Sequence, residues 1–207
     1  MKDNRLKCEN FPFSGFPTAD NEKWSKVQKV SLVDVETGEL PFLSTSFAAF
    51  RSDEQERIFF KFTGEDDVIR SYFRLKDEPI YLADVFELFI SDTNDLNNYI
   101  ELEVSPHNVK FDGRITYDGQ GTRLLDMSYD IEGWKTRTIF CDKKSRITSV
   151  WSIPYSAFAS PPKAGSHWRF NAFRIDHSDR GVSYQAWQKT GEINFHVPSV
   201  FGYLDFV

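Results

Sequence analysis

Two carboxylates two residues apart are the first candidates for chemistry. Glu101 and Glu103 share one side of Tyr99–Ser105, where Ile100, Leu102 and Val104 alternate with Glu101, Glu103 and Ser105. On a strand their backbones stand about 6.6–6.8 Å apart on one face. Carboxyl pairs roughly 5–9.5 Å apart hydrolyse glycosidic bonds, but they must reach the sugar from different directions. The next segment offers a plainer role. Val109–Tyr117 sets Lys110, Asp112, Arg114 and Thr116 against Val109, Phe111, Ile115 and Tyr117. Ser105–Asn108 reads as the hairpin turn between them. If each strand has one wet face, opposed residues sum to an odd number. That register sets Glu103 beside Lys110 and Tyr99 beside Arg114, a solvated ladder of charges.

Glu87 has a different setting. In Asp84–Ile90 both faces are nearly apolar, which marks a strand covered on both sides. A carboxylate between Val85 and Phe89 must be hydrogen-bonded or it costs several kcal/mol. It is either tied to a neighbouring arginine or set at the floor of a binding cleft.

Asp92–Asn98 is rich in oxygen ligands but matches a calcium loop only at its first and third positions. Leu96 takes the fifth, and Asn97 stands where a glycine belongs. It reads as an Asx-rich hairpin loop and leaves a structural calcium open; no metal-ligand set is assigned. No GxSxG, HExxH, phosphate loop or zinc spacing is present. The histidines (His107, His167, His177, His196) are dispersed and read as surface or loop residues.

The elements that must position these residues are strands. Phe, Tyr and Trp number 20, 8 and 5, an excess that favours β-structure. Period-two or short apolar runs predict further strands at Lys26–Val33, Ser44–Arg51, Arg57–Thr63, Asp84–Ser91, Trp134–Asp142, Ile147–Ile153, Trp168–Asp176 and Gly202–Val207. Pro154–Phe158 reads as one helical turn. No linker divides the chain, since Ser160–Gly165 is only a loop. The expectation is one domain over residues 1–207, with 1–20 as an N-terminal extension. Its fold class is all-β: an antiparallel two-sheet β-sandwich, immunoglobulin-like or jelly-roll.

A net charge of −6 with scattered Lys and Arg excludes a generic nucleic-acid binder and gives no help toward an anionic membrane. No stretch approaches the ~20 apolar residues of a membrane helix. The start lacks a secretory signal. The chain as it stands reads as cytoplasmic, or as secreted if a signal has been removed. Cys8 and Cys141 read as unpaired thiols.

Near the C-terminus lie Trp168, Phe173, Tyr184, Trp187, Phe195, Phe201 and Tyr203. Most must be core. Trp187 and Phe195 flank the polar stretch 188–194, and aromatics beside polar loops can stack on sugar rings.

Tyr81–Ile90, the Asn/Asp loop and Tyr99–Pro106 together resemble the "D-x-V-E-x-F-I-D … Y-x-E-F-x-V-N-P" of family 9 carbohydrate-binding modules and their DOMON-like relatives. Trp168–Asp176, Trp187 and Phe195–Phe206 look like that family's closing "W-R-x-N-F-x-R … W-S-P … F-H-x-P-x-x-(F/W)-G-x-L-x-F". The likeness spans roughly residues 20–207 and implies a β-sandwich that clamps a terminal sugar between two aromatic rings and carries structural calcium. By that resemblance the clamp positions fall on Tyr81 and Phe195. The family's strand glutamate falls on Glu87, an arginine near Glu103, a glutamine near Phe173 and an asparagine on Asn171. Both clamp positions keep a ring but lose tryptophan.

The implied function is non-catalytic carbohydrate binding, as an accessory to polysaccharide degradation. Tyr81, Phe195 and nearby Trp187 would supply stacking surface; Glu87, Glu103, Asn171 and Arg174 would supply polar contacts. The rival is a β-sandwich glycoside hydrolase using paired carboxylates. DOMON-like relatives also include haem binders, but Met127 is the lone internal methionine, so a haem axial pair is not expected.

Overall fold

The computed structural model describes residues 4–207. The alternating segments become fourteen strands: β1 (Arg5–Asn10), β2 (Lys29–Ser31), β3 (Val33–Asp34), β4 (Thr45–Ser52), β5 (Arg57–Glu65), β6 (Val85–Ser91), β7 (Asn98–Val104), β8 (Lys110–Tyr117), β9 (Arg123–Asp126), β10 (Lys135–Cys141), β11 (Arg146–Pro154), β12 (His167–Ser178), β13 (Gly181–Ala186) and β14 (Gly202–Phe206). One short helix, α1 (Lys23–Lys26), and 3-10 turns such as Ile80–Leu82 and Tyr155–Ala157 complete it. The expected strand at Lys26–Val33 is broken up: its start is the end of α1, and β2 and the first residue of β3 take the rest.

The fold is all-β. Its sheet path runs β10-β11-β5-β4-β1-β14-β12-β6-β7-β8-β9, with β13 and β2 added on β12 and β4. The pairing is mixed where antiparallel pairing was expected throughout. β1 lies parallel to β14 over Arg5–Cys8 and parallel to β4 at Glu9 and Asn10. The expected N-terminal extension is therefore corrected: residues 5–10 are an interior strand joining the two halves of the sheet, and residues 1–3 lie outside the described part. Leu6 and Cys8 point into the core with no exposure, and Arg5 and Lys7 point out. Charges on alternate positions had hidden that period of two.

Rings from the two halves meet face to face. Phe62 of β5 stacks on Phe86 of β6 at 4.9 Å, and Phe47 of β4 lies 5.7 Å from Phe170 of β12. These rings belong to the main core. A second cluster covers the opposite face of β6, β7, β8 and β12, with Phe89, Tyr99, Ile115 and Phe173 capped by Ile80, Phe195 and Phe201 from loops. Every residue of β6 is consequently buried, as its apolar faces predicted. Cys8 and Cys141 are both free thiols.

The β7–β8 register differs from the expected one. Val104 pairs with Lys110, Glu103 with Phe111, Glu101 with Gly113 and Ile100 with Arg114, so opposed residues sum to an even number. The cause is the turn. Ser105 and Val109 close on each other through Ser105 N–H to the Val109 carbonyl at 2.9 Å, leaving a loop of three residues, Pro106–Asn108. Asn108 ends it at φ 66°, the left-handed closure that three-residue hairpin loops use. One residue of slip moves Glu101 and Glu103 onto the same side as Phe111 and Ile115. No ladder of charges forms there.

Candidate functional site

That slip builds the site. Glu87 of β6 pairs directly with Glu103 of β7, and Phe89 with Glu101. Period two then puts Glu87, Glu101 and Glu103 on one face, the face covered by the second cluster. Glu87 and Glu103 are 2% exposed and Glu101 is 7% exposed. One carboxylate oxygen from each lies within 4.8 Å of the others. Glu87 Oε1 and Glu103 Oε2 are buried without a hydrogen-bond partner.

Over this floor opens a cavity of about 540 Å³. Phe111, Ile115, Ile175 and Phe195 are among its walls. At its rim Tyr81, on the 3-10 turn Ile80–Leu82, is 51% exposed, and Leu125, Met127 and Ile193 are exposed as well. Phe195 lies flat on Phe173, with centroids 4.3 Å apart and planes 12° apart. Its free ring surface is small, so it acts as wall more than as platform.

The floor is electrostatically unusual. Burial first, then the charge of Glu101, pushes the Glu87 carboxyl well above the ordinary carboxylate range. Glu103 is raised by burial and by both neighbouring acids. Burial pushes Glu101 up to about 7, against the opposing pull of Arg123. His196 Nδ1 shares a 2.9 Å hydrogen bond with the Tyr99 hydroxyl, and its Nε2 lies 3.7 Å from Glu101. Burial, then Arg123, lowers the imidazole to about 3, so it stands neutral beside Glu101 and not as its ion-pair partner. Buried acids placed opposite one another destabilise a sheet, and groups perturbed in this way concentrate at functional sites.

Of the residues expected to bind ligand, the fold gathers Tyr81, Glu87, Glu103 and Phe195 at this cavity and sends three elsewhere. Trp187 is 1% exposed and stacks on Phe170 at 4.6 Å in the main core. Asn171 is fully buried; its amide donates to the Gln188 carbonyl at 2.7 Å and its oxygen accepts from Gln188 N–H at 2.9 Å. Arg174 pairs across the ladder with Phe86 and so faces the opposite side from Glu87. It donates to Asp66 at 2.8 Å and Asp176 at 2.7 Å and lies 5.4 Å over the Phe86 ring. These three therefore hold the interior together. The arginine tie weighed for Glu87 does not form.

Side chains of the Asp92–Asn98 loop are engaged in hydrogen bonds. Asp92 Oδ2 accepts from Ser160 N–H at 3.1 Å, and Asp95 Oδ1 from Asn97 N–H at 3.0 Å. The Asn94 amide donates to the His167 carbonyl. The Asp95–Asn97 bond is an Asx turn, and the other two tie the loop to the segments at Ser160 and His167. Among the described residues, the one group of three or more acidic, histidine or cysteine side chains with converging ligand atoms is Glu87, Glu101 and Glu103.

Sequence reasoning missed His196, Arg123 and the apolar rim. A lone loop histidine gives no signal. Leu124, Leu125 and Met127 did give one, since they are apolar residues in the mostly polar stretch 118–130.

No protein-family profile matches the chain. An extracellular protein of Arthroderma benhamiae is 29% identical over 143 residues, 63% of this chain. The match spans 64% of that protein, less than two thirds of its length. Among solved structures, a candidate carbohydrate-binding protein of Bacteroides uniformis superposes with a TM-score of 0.77 at 16% identity, covering 98% of this chain and 99% of its own. A family 9 carbohydrate-binding module of Caldicellulosiruptor kristjanssonii, in complex with cellotriose, superposes with a TM-score of 0.70 at 14% identity, covering 98% and 93%. The chain has the fold of a family 9 carbohydrate-binding module. A module of that family and organism in complex with glucose aligns over 98% of this chain and 95% of its own, with a TM-score of 0.64 at 14% identity. The ordered motifs thus pointed to the right all-β fold family, while the pairing is mixed and not antiparallel throughout.

Proposed function

We propose that the cavity binds a saccharide without cleaving it, in service of polysaccharide breakdown. One observation carries this reading: an exposed Tyr81 ring and apolar rim stand above buried carboxylates with free acceptor oxygens. A pyranose presents apolar C–H faces and hydroxyl donors, and each finds its counterpart here. Modules of the same fold have been solved with cellotriose and with glucose, which supports the reading. The three carboxylates rise from adjacent strands of one floor. That arrangement suits hydroxyl binding better than hydrolysis, which needs carboxyls flanking the scissile bond. In the same reading the two halves of the sheet are the layers of a sandwich, as the ring contacts between β5 and β6 suggest.

Calorimetric titration with glucose and cello-oligosaccharides tests it. Tyr81→Ala and Glu87→Gln are each expected to weaken binding by about tenfold or more, the ~1.4 kcal/mol scale of one good contact. The wild type is expected to release no reducing sugar from the same oligosaccharides. Unchanged affinity in both variants would remove the cavity from sugar binding. Turnover abolished by Glu87→Gln would make the protein a hydrolase.

A further inference from the structure

Hydroxyl groups do not answer the charge that the floor carboxyls carry when ionised. Three glutamates converge on one spot, and among the described residues no lysine or arginine forms an ion pair with any of them. Arg123 lines the same cavity but is exposed. Among the described residues the one side chain within ion-pair reach is His196, with Nε2 3.7 Å from Glu101 Oε1. Glu87 Oε1 and Glu103 Oε2 lie on nearly fully buried side chains that line the cavity, and both lack a partner. Buried charges are ordinarily paired or bound to metal.

We propose that Glu87, Glu101 and Glu103 hold one hard divalent cation of the calcium class at the cavity floor, and that a bound saccharide completes its coordination through hydroxyl oxygens. The second half rests on the saccharide reading above; the first does not. Calcium takes six to eight oxygens at about 2.3–2.6 Å, so two ligands across the ion stand up to ~5 Å apart. A trio whose oxygens fall within 4.8 Å of one another fits that sphere. Magnesium demands a tighter octahedron at about 2.0–2.1 Å and gives up water reluctantly. An all-carboxylate set also lacks the nitrogen or sulfur donors that favour zinc. Three side chains do not fill a calcium sphere, and the positions left over face the cavity. Tyr99 holds the His196 ring beside Glu101, with Nε2 3.7 Å from the carboxyl.

The test begins with the full chain stripped by chelator and titrated with calcium chloride alone, by calorimetry and by thermal unfolding. One calcium per chain is expected, with a rise in unfolding temperature. Glu87→Gln and Glu103→Gln should each lose at least about tenfold in calcium affinity and most of that rise. Both variants keep the side-chain shape and are expected to unfold in chelator no lower than the wild type, which separates lost binding from lost folding. No stoichiometric calcium, or calcium bound equally by both variants, overturns the site. The second arm titrates cellotriose with calcium and with chelator. Binding that needs calcium supports the bridge, and equal binding in both overturns it. If calcium binds at the trio while cellotriose binds under neither condition, the bridge and the saccharide reading fall together and the cation site stands.

Discussion

Glu103 faces Glu87 across the β6–β7 ladder, with apolar rings on either side of the pair. Their mutual repulsion and burial cost the apo fold stability. Replacing Glu103 by Gln is therefore expected to raise the unfolding temperature in chelator, by about 2–4 °C for each kcal/mol relieved in a domain of this size. The same change is expected to weaken saccharide binding. Parallel calorimetry and thermal scans check both; a lower unfolding temperature would mean that Glu103 is bonded into the fold. At this scale the sequence was informative in part. The burial of Glu87 was legible because Val85 and Phe89 flank it on its own face. The burial of Glu101 and Glu103 was not, because it depends on the three-residue turn at Pro106–Asn108, and a turn of two or four would have made them a wet face. Trp187 was misplaced for a related reason: chain proximity to a polar loop says nothing about which way a ring turns.

Strand β5 shows how closely its neighbours constrain an element. A Cβ on Gly64 would stand 2.3 Å from the Arg174 guanidinium. That guanidinium is fixed by Asp66, Asp176 and the Glu65 carbonyl. Gly64→Ala is expected to destabilise by about 1–3 kcal/mol, the usual cost of overpacking, measurable by urea unfolding. Burial pushes Asp66 up to about 7 and Asp176 up to about 6, although Arg174 pulls each down. The unfolded chain holds these protons only below about pH 4. Their contribution to stability is thus complete below that pH and lost as the pH rises through 6 and 7. The unfolding temperature should fall between about pH 4 and pH 7, and Asp66→Asn should make the fall shallower. The raised floor glutamates act in the same sense, so the slope will shrink without vanishing. A slope unchanged in Asp66→Asn would locate the effect elsewhere. Most strands were legible to within a few residues because their apolar alternation faces a core. β9 was not, since all four of its residues are exposed and no core imposes a period on them.

For the whole molecule, the decisive strand is the first. β1 joins β14 to β4, and Arg5 adds a two-pronged ion pair to Asp205 at 2.7 and 2.5 Å. Removing residues 1–10 would expose the unpaired edges of β14 and β4 and take Leu6 and Cys8 from the main core. Loss of cooperative unfolding, or a stability lower by several kcal/mol, is expected on denaturant titration; a truncated chain as stable as the parent would show that β1 is dispensable. The overall fold class could be read from strand count and motif order, but the mixed pairing could not. Parallel partners are chosen by the closure of the entire sheet, and no local pattern in Arg5–Asn10 names residues 203–206 as its mates.

That pairing also sets a timetable. A ribosome delivers Arg5 long before its partner Tyr203. The seam between the halves therefore stays open until β14 has been made. Closing so distant a pair is slow, and in the interval the bare edge of β4 is available to other nascent chains.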